Sequence, residues 1–282
     1  MNKWQVGNVT ITRIVEIEGP TRGTFLFAQA TPENILRHAW LRPHFASDDG
    51  YFISAIQAYV IESEGRRIIV DTCVGNDKPR AQKFWNRLQT GFLTDLAAAG
   101  FPRESIDLVL CTHLHVDHIG WNTMLADERW VPTFPQARYL FARREWEYWS
   151  QQQAQEPDDI LGDSVRPVIE AGLCDLIEMD HRLTSEVYLE PTPGHTPGHV
   201  SVRISSQGAE AVITGDLMHH PVQCSEPDWA SLFDSDPAAA RATRRAFLSR
   251  YADSPVLIFG THFATPCVGQ IVPDGAAWRL IV

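Results

Sequence analysis

The sequence predicts a protein of the α/β or α+β class, in which two β-sheets pack face to face and helices cover their outer sides. Its patterned segments fall into two similar halves. In each half, β-type apolar segments come first and helix-type segments follow. A sheet has to bury an apolar face, so two such halves are expected to stack sheet against sheet. The length of 282 residues alone allows one large domain or two small ones.

In the first half, the predicted strands and helices lead to a turn that is rich in histidine. The segment 92–99 is predicted to be a helix that ends at Gly100 and Pro102. The strand 106–112 is apolar and stops where the histidines begin. In order, the predicted elements are strands at 9–17, 55–63 and 67–71, helices at 80–90 and 92–99, strands at 106–112 and 138–141, and a helix at 143–153.

In the second half, a helix is predicted at 238–252, because Asp236 is a typical N-cap and Pro237 suits the first helical position. Strands are predicted at 187–189, 200–205, 211–215, 256–260 and 278–282.

The segment 19–50 is rich in glycine, proline and aromatic residues and is too apolar for a tail. We expect it to be a lid or a dimerisation arm, and the sequence does not choose between the two. An arm would make the protein a homodimer, which a solution mass equal to one chain would contradict.

The composition is that of a globular protein with a sizeable core, and it argues against nucleic acid as a partner. Hydrophobic residues make up 44% of the chain, charged residues 21%, and the formal net charge is −11. Such an acidic protein is poorly suited to bind phosphates. Arg241, Arg244 and Arg245 lie on the predicted helix 238–252 and are expected to form a solvated face.

The sequence also argues against a membrane partner. No apolar stretch approaches the roughly 20 residues that span a bilayer, and the first residues lack the layout of a signal peptide. We therefore expect a cytoplasmic protein. The five cysteines are odd in number and scattered, without a CxxC pair, so free and mostly buried thiols are expected.

Three histidines and an aspartate follow directly after the strand 106–112. His113, His115 and Asp117 alternate, so their side chains point to one side of an extended turn, and His118 can reach a second centre as the next helix begins. Imidazole and carboxylate together suit zinc and its first-row neighbours. The alternative interpretation is a surface or capping cluster, which this specific spacing disfavours.

Three other predicted strand ends or loops carry side chains that can bind metals. His195 lies in a loop rich in turn residues, Asp216 follows the strand 211–215, and His262 follows the strand 256–260. A single histidine in such a position is more often a structural residue than a metal ligand. Four loops that each supply a ligand indicate a metal site.

On these residues, the chain resembles the metallo-β-lactamase superfamily, whose signature is HxHxDH. The resemblance spans residues 67–262 in the family's order. The matching elements are an early Asp-Thr turn at Asp71-Thr72, HxHxDH at 113–118, GHTPGH at 194–199, Gly215-Asp216 and a late His262. In the family, the early Asp usually supports the ligands rather than binding metal.

The resemblance implies an αββα sandwich of two mixed β-sheets flanked by helices, as a single domain over 1–282. It also implies two divalent metal ions, of which zinc is the default, while manganese, cobalt or iron fit the same ligands. Carried over residue by residue, one ion would be held by His113, His115 and His195, the other by Asp117, His118 and His262, and Asp216 would bridge them. His199 is expected to be structural, and His219 and His220 to lie around the ligands or face the substrate.

The resemblance further implies a metal-dependent hydrolase in which a hydroxide bridging the two metals attacks a carbonyl carbon or a phosphorus. Asp117 is the candidate catalytic residue, which could pass a proton to the leaving group. The residues 118–122 resemble the lactonase and methyl-parathion-hydrolase branch. This favours a small apolar lactone or carboxylic ester, with phosphotriesters as a further class. The alternatives are a thioesterase of the glyoxalase II type, a β-lactamase, and a non-enzymatic metal-bearing sensor or scaffold.

Aromatic residues are expected to line the substrate pocket. Trp121 comes three residues after His118, and Phe263 directly follows His262, so we expect both at the pocket together with His219. Several aromatic side chains suit an apolar substrate better than a highly charged one. The further candidates are Trp40, Trp146, Trp149 and Trp229.

Overall fold

The computed structural model describes residues 3–152 and 158–282, whose strands form two mixed sheets and one small hairpin. The first sheet has the strand order β1-β2-β3-β4-β5-β8-β9, antiparallel from β1 to β4 and parallel from β4 to β9. Its strands are β1 (Lys3–Val6), β2 (Val9–Thr21), β3 (Phe52–Ser63), β4 (Arg66–Val70), β5 (Leu108–Leu110), β8 (Arg138–Ala142) and β9 (Cys174–Ile177).

The second sheet runs in sequence order from β10 to β15, and only its central pair, β12 and β13, is parallel. Its strands are β10 (Val187–Pro191), β11 (Val200–Ser206), β12 (Ala209–Ile213), β13 (Leu257–Phe259), β14 (Val268–Asp274) and β15 (Ala277–Ile281). The remaining hairpin pairs β6 (Thr123–Ala126) with β7 (Arg129–Pro132). The prediction of two mixed sheets is confirmed.

The helices are short, apart from two. The longer ones are α4 (Arg143–Gln152) and α8 (Pro237–Tyr251). The Asp236 side chain caps α8 by accepting the N–H groups of Ala238 and Ala239, as the sequence predicts. The shorter α-helices are α1 (Pro32–Leu36), α2 (Phe92–Ala98), α3 (Val116–Ile119), α5 (Ile160–Ser164), α6 (Arg166–Glu170) and α7 (Val222–Ser225). Single 3₁₀ turns lie at Gly23–Phe25, Ala39–Leu41, Arg103–Ser105, Gly120–Asn122 and Gly215–Leu217.

Alternation along the strands separates two cores. Ile68 and Val70 on β4 face the second sheet, whereas Ile69 between them faces the helices of the first layer. The core between the sheets joins Tyr59 to Phe259, whose ring centroids lie 5.6 Å apart. Burial of these apolar faces is the main force that holds the two sheets together.

One predicted helix is wrong. Residues 81–87 form turns rather than part of a helix at 80–90. Lys78 and Arg80 reach Asp163 inside the protein, and the N–H of Arg87 donates to the Lys78 carbonyl at 2.8 Å, which closes the loop on itself. Arg87 also has a left-handed backbone, with φ at 51°. Buried tertiary contacts therefore outweigh the local helical pattern.

Other predicted elements differ in extent from the observed ones, and some observed strands were not predicted. The predicted strand 106–112 contracts to three residues at β5, and the hairpin β6–β7 and the strands β9 and β14 were not predicted. The predicted helix 143–153 corresponds to α4, and residue 153 lies outside the described residues. The five cysteines are free thiols, and four of them are buried, as expected.

The solvated face predicted for three arginines is wrong for Arg244, which is 0% exposed. Its guanidinium donates to the carbonyls of Leu217, Pro227 and Trp229. Burial lowers the pKa of this guanidinium to about 10. It therefore ties α8 to the loops that precede it.

The segment 19–50 folds onto its own chain. Phe27, Leu41 and Phe45 are buried in the core between the sheets. Within residues 3–152 and 158–282, no helix combines the length and the apolar character that crossing a membrane requires.

Candidate metal centre

The candidate site lies where the parallel strands of both sheets end. The parallel pairs β4–β5 and β12–β13 each present their carboxyl ends at one edge, and the chain then enters a loop. The loop after β5 carries the run 113–118, the connection after β12 carries Asp216, and the loop after β13 carries His262. His195 arrives from the loop between β10 and β11.

The structure brings all seven predicted ligands together in two groups. In each group, the candidate ligand atoms lie within 4.8 Å of one another. The first group is His113, His115, His195 and Asp216, and the second is Asp117, His118 and His262. In the second group, the Asp117 carboxylate lies 3.8 Å from Nε2 of His118 and 3.6 Å from Nε2 of His262.

Asp216 stands between the two groups, with one oxygen toward each. Its Oδ2 lies 3.4 Å from Nε2 of His195 and 3.8 Å from Nε2 of His113. Its Oδ1 lies 3.2 Å from Nε2 of His118 and 3.1 Å from Nε2 of His262. This is the arrangement of a carboxylate that can be shared by two cations.

Four ligand imidazoles use their outer nitrogen, Nδ1, for a hydrogen bond to the protein. The partners are Thr112 Oγ1 for His113 (3.1 Å), Asp71 Oδ2 for His118 (2.9 Å), Asp234 Oδ1 for His195 (2.9 Å) and the Ala55 carbonyl for His262 (2.8 Å). Such bonds fix the ring orientation and leave Nε2 free to bind a metal. Asp71 supports His118 without entering either ligand group, which is the place predicted for the early Asp-Thr turn.

The inward-facing atoms have the environment of metal ligands. Nε2 of His113 is buried and makes no hydrogen bond with any described residue, and the same holds for Oδ1 of Asp216. Two pairs of ring nitrogens also face each other, His195 with His115 at 2.8 Å and His262 with His118 at 3.2 Å. Unpartnered buried acceptors are costly in an apolar interior. A cation accepting several lone pairs would satisfy them together, so the residues fit a pair of metal ions.

The charges around Asp216 follow from burial and proximity. Burial opposes ionisation of Asp216, but the imidazoles of His118 and His262 hold the pKa of its carboxyl well below the usual range. Burial also works against a charged His262, yet Asp216 and Asp117 raise its pKa to about 9. Burial keeps the pKa of His113 well below its ordinary value, so this ring is neutral. Neutral imidazole and ionised carboxylate are the forms that bind metals, so a metal ion bound at His262 would displace the proton of that ring.

Glu145, at the start of α4, holds two ligand loops together. Its carboxylate accepts the N–H groups of Leu114 at 3.1 Å and Gly198 at 2.9 Å, and the indole N–H of Trp149 at 2.7 Å. Burial raises the pKa of Glu145, which these hydrogen bonds partly offset. The loop that carries His113 and the loop that follows His195 are thereby fixed to one helix.

His199 is structural, as the sequence predicts. Its Nε2 accepts the backbone N–H of Asp216 at 2.8 Å, and its Nδ1 donates to the Thr192 carbonyl at 3.0 Å, so neither ring nitrogen is left for a metal. A Cβ at residue 215 would lie 2.5 Å from Nε2 of His199, and φ there is +56°. Only glycine therefore allows Asp216 to approach His199 this closely.

A cavity of about 790 Å³ opens onto the candidate metal ligands. One side carries His115, Asp117, His195, Asp216, His219 and His262. Another part of the lining, which we call the aromatic wall, consists of Phe25, Phe84, Trp85 and Phe233. These rings touch one another, with centroids 5.2 Å apart for Phe25–Phe233, 5.5 Å for Phe25–Phe84 and 5.1 Å for Phe84–Trp85.

Among the predicted pocket residues, only His219 and Trp149 line this cavity, and the prediction is wrong for Trp121 and Phe263. Trp121 is stacked on Phe92 in the core and donates to Glu16 at 2.6 Å. Phe263 is 0% exposed and belongs to the core between the sheets. Adjacency in sequence to a ligand does not place a side chain in the cavity. Trp40, Trp146 and Trp229 also lie against the cores rather than in this cavity.

Several residues of the site were not found by sequence reasoning. Asp234 and Glu145 look like ordinary surface carboxylates in the sequence, and no spacing connects them to the histidines. The aromatic wall comes from three separate loops, so its members share no periodicity. His220 was expected to lie around the ligands or to face the substrate, but it does not line the cavity. Its ring stacks on that of Phe52, with centroids 3.8 Å apart.

Residues 53–262 match the family described as "Metallo-beta-lactamase superfamily". The chain belongs to the metallo-beta-lactamase superfamily. It is accordingly a metal-dependent hydrolase of that superfamily, and the sandwich of mixed sheets with flanking helices is the metallo-beta-lactamase fold.

Two N-acyl homoserine lactonases resemble the chain over most of its length. An N-acyl homoserine lactonase from Bacillus sp is 25% identical over 218 residues, which cover 73% of this chain and 80% of that protein. An N-acyl homoserine lactonase from Bacillus cereus is 23% identical with the same coverage.

Solved structures share the fold. That of AidC, described as a dizinc quorum-quenching lactonase in complex with a product, has a TM-score of 0.80 at 21% identity and covers 99% of this chain and 96% of its own. That of the hydrolase AbOPH has a TM-score of 0.81 at 24% identity, with the same coverage.

Proposed function

We propose that this protein hydrolyses lactones that carry an apolar acyl chain. The observation that carries this proposal is the cavity of about 790 Å³, which is lined both by candidate metal ligands and by the aromatic wall. A mostly apolar cleft with a few convergent polar groups suits a small apolar ligand with one reactive polar group. The similarity to N-acyl homoserine lactonases at 22–25% identity supports the same substrate class.

The metal ligands proposed here are those of the sequence prediction. His113, His115 and His195 would hold one ion, Asp117, His118 and His262 a second, and Asp216 would bridge them. Zinc suits this set of nitrogen and oxygen donors. Two such cations would polarise the lactone carbonyl and lower the pKa of a water molecule toward neutrality, which provides a nucleophile without a serine or cysteine.

Asp117 is proposed to handle the proton of the reaction. Its side chain is 14% exposed and lies in the cavity, whereas the Asp216 side chain is 4% exposed. A carboxylate at the cavity surface can take a proton from the attacking water and return it to the leaving oxygen as the lactone ring opens. No part of the leaving group is lost, because the ester bond of a lactone lies in a ring.

His219 and the aromatic wall are proposed to position the substrate. Nε2 of His219 lies 3.1 Å from Oδ2 of Asp216, so a proton on that nitrogen holds the carboxylate in place while the ring lines the cavity. The wall would bury the acyl chain and exclude water from the reacting end. Phe25 of this wall, together with residues 19–22 and Leu26, brings the segment 19–50 into the cavity lining, so we propose that the segment forms part of the substrate cavity.

The test is a substrate panel on protein loaded with two equivalents of zinc. The panel contains N-acyl homoserine lactones of short and long acyl chain, an aryl ester, a phosphotriester, a β-lactam and a glutathione thioester. We expect the lactones to have the highest kcat/KM. A higher value for any other class would replace the proposed substrate, and no turnover with both metals bound would indicate the sensor function instead.

A further inference from the structure

Asp234 connects the metal centre to a loop of the cavity wall. Its Oδ1 lies 2.9 Å from Nδ1 of His195, and its Oδ2 accepts the backbone N–H of Ser231 at 2.8 Å. The side chain of Asp234 is 0% exposed. Both carboxylate oxygens are thus used, in fixed directions and away from water.

The backbone of the same loop also holds the His195 loop. The N–H of Ser235 donates to the His195 carbonyl at 2.8 Å, and the N–H of Asp236 donates to the Gly194 carbonyl at 3.0 Å. Three successive residues, 234–236, therefore hold both the ring and the main chain around His195. This double attachment leaves the imidazole little freedom to rotate.

We propose that Asp234 is a positioning residue that sets the orientation and the tautomer of His195, and through them the affinity of the first ligand group for its metal. The inference rests on the proposed metal-dependent function. A carboxylate can only accept hydrogen bonds, so the proton of the neutral His195 ring stays on Nδ1. The lone pair of Nε2 then points toward His115 and Asp216, where the metal would bind.

The two ligand groups are alike in this respect. Asp71 lies 2.9 Å from Nδ1 of His118 in the second group, as Asp234 does from His195 in the first. Each group contains one histidine supported by a buried carboxylate and one, His113 or His262, supported by a neutral oxygen. Asp234 thus supports His195 as Asp71 supports His118 on the other side of Asp216.

The nearly isosteric substitution Asp234→Asn reverses the tautomer. The N–H of Ser231 can only donate, so the single amide oxygen of Asn stays with Ser231 and the amide NH₂ turns toward His195. Nδ1 of His195 must then accept, which moves the ring proton to Nε2 and blocks the metal. In Asp234→Ala, neither tautomer is imposed, although the Ser231 N–H loses its partner and stability falls.

The experiment measures zinc affinity of the apoprotein by competition with a chromophoric chelator, beside its thermal unfolding. We expect Asp234→Asn to weaken one of two zinc sites by roughly 10- to 100-fold. Asp234→Asn should lower the zinc affinity more than Asp234→Ala does. Asp234→Ala, in contrast, should lower the Tm of the apoprotein more than Asp234→Asn does. Imidazole ¹⁵N shifts of the apoprotein should show the His195 proton on Nδ1 in the unmodified protein and on Nε2 in Asp234→Asn.

Two matched controls lie outside the residues that hold His195. Leu232→Ala, on the same loop, removes a side chain that is 61% exposed, and Asp228→Asn makes the same chemical change at an exposed ion pair with Arg245. Both should keep the zinc affinity of the unmodified protein. Unchanged zinc affinity in Asp234→Asn would overturn the inference. A larger loss in Asp234→Ala than in Asp234→Asn, both in zinc affinity and in Tm, would overturn it as well. Failure of the unmodified protein to bind two zinc ions would instead overturn the proposed function.

Discussion

The two sides of the cavity are built in opposite ways. On the metal side, the candidate ligands follow strand ends, and four of the imidazoles are each hydrogen-bonded to the protein at 2.8–3.1 Å. On the other side, the aromatic wall comes from three loops, and Phe84 and Phe233 are 55% and 43% exposed. Its rings are held by contact with one another rather than by hydrogen bonds.

This difference separates chemistry from selection of the substrate. Metal ligands have to be held within a fraction of an ångström, which strands and buried hydrogen bonds provide. An apolar wall only has to exclude water and fit a chain, so loops that can repack are sufficient. Substitutions on the metal side should therefore remove activity for all substrates, and substitutions in the wall should alter the preference among them.

The largest effect is expected from Asp216→Ala, because this carboxylate faces both ligand groups. The variant should bind fewer metal ions per chain and lose roughly 10³-fold or more in kcat/KM for every lactone, since a binuclear site supplies several kcal/mol of transition-state stabilisation. Metal analysis and lactone hydrolysis measure both. Asp228→Ala, at an exposed ion pair with Arg245, is the matched control. Full activity with full metal content in Asp216→Ala would refute the bridging role.

A smaller and selective effect is expected from Phe25→Ala, because Phe25 contacts three other rings of the aromatic wall. Loss of this apolar contact should lower kcat/KM by about 10-fold for a long acyl chain, mainly through KM, and little for a short one. Leu125→Ala, at a side chain that is 40% exposed on β6, is the control. Equal losses for short and long chains would mean that the wall does not hold the acyl chain.

The loop that carries Phe84 and Trp85 is anchored by Lys78, and this anchor should make stability depend on pH. Burial lowers the pKa of Lys78 to about 7, against the pull of Asp163. The unfolded chain keeps this proton up to a pKa near 10.4, so it binds more protons than the folded state between these values. The free energy of unfolding contributed by Lys78 should therefore rise with pH from about 7 to about 10, by at most about 1.4 kcal/mol per unit.

Urea unfolding of the unmodified protein and of Lys78→Met at pH 7, 8 and 9 measures this contribution as a difference. Other groups that titrate in this range cancel, because they are common to both proteins. The free energy of unfolding of the unmodified protein, relative to that of Lys78→Met, should increase with pH. If the free energies of unfolding of the two proteins changed with pH in parallel, burial would not lower the pKa of Lys78.

The smallest effect is expected from Asp236→Ala, which removes the N-cap of α8 next to the metal side. The loss should be about 1 kcal/mol in the free energy of unfolding, with unchanged kcat. Chemical denaturation and lactone hydrolysis measure the two quantities. A large loss of kcat would mean that the cap of α8 and the position of His195 are not independent.

The sequence predicted which residues meet on the metal side, because these residues are tied to short, regular patterns. His113 to His118 follow an apolar strand directly, and Asp216 and His262 each follow another strand, so spacing and strand ends predict where they meet. The fold followed from the same strands. Asp71 was found as well, because it belongs to a turn that the family resemblance covers.

The aromatic wall and the supporting carboxylates could not be predicted, because long-range contacts determine them. The turns at 81–87 replace a predicted helix since Lys78 and Arg80 meet Asp163, about 80 residues further along the chain. Arg244 has the helical position of a surface residue, yet three carbonyls from another segment hold it inside. Asp234 has no signal in its own neighbourhood.

The candidate ligands are divided between the two halves of the chain in a way that affects assembly. His113, His115, Asp117 and His118 belong to the first half of the chain, whereas His195, Asp216 and His262 belong to the second. Neither half contains a complete set for either ion. Metal bound as proposed would thus act as a reversible cross-link across the sandwich, whose binding free energy is added to that of docking the sheets. Removal of the metal by a chelator should therefore weaken the packing between the two sheets more than it weakens either sheet itself.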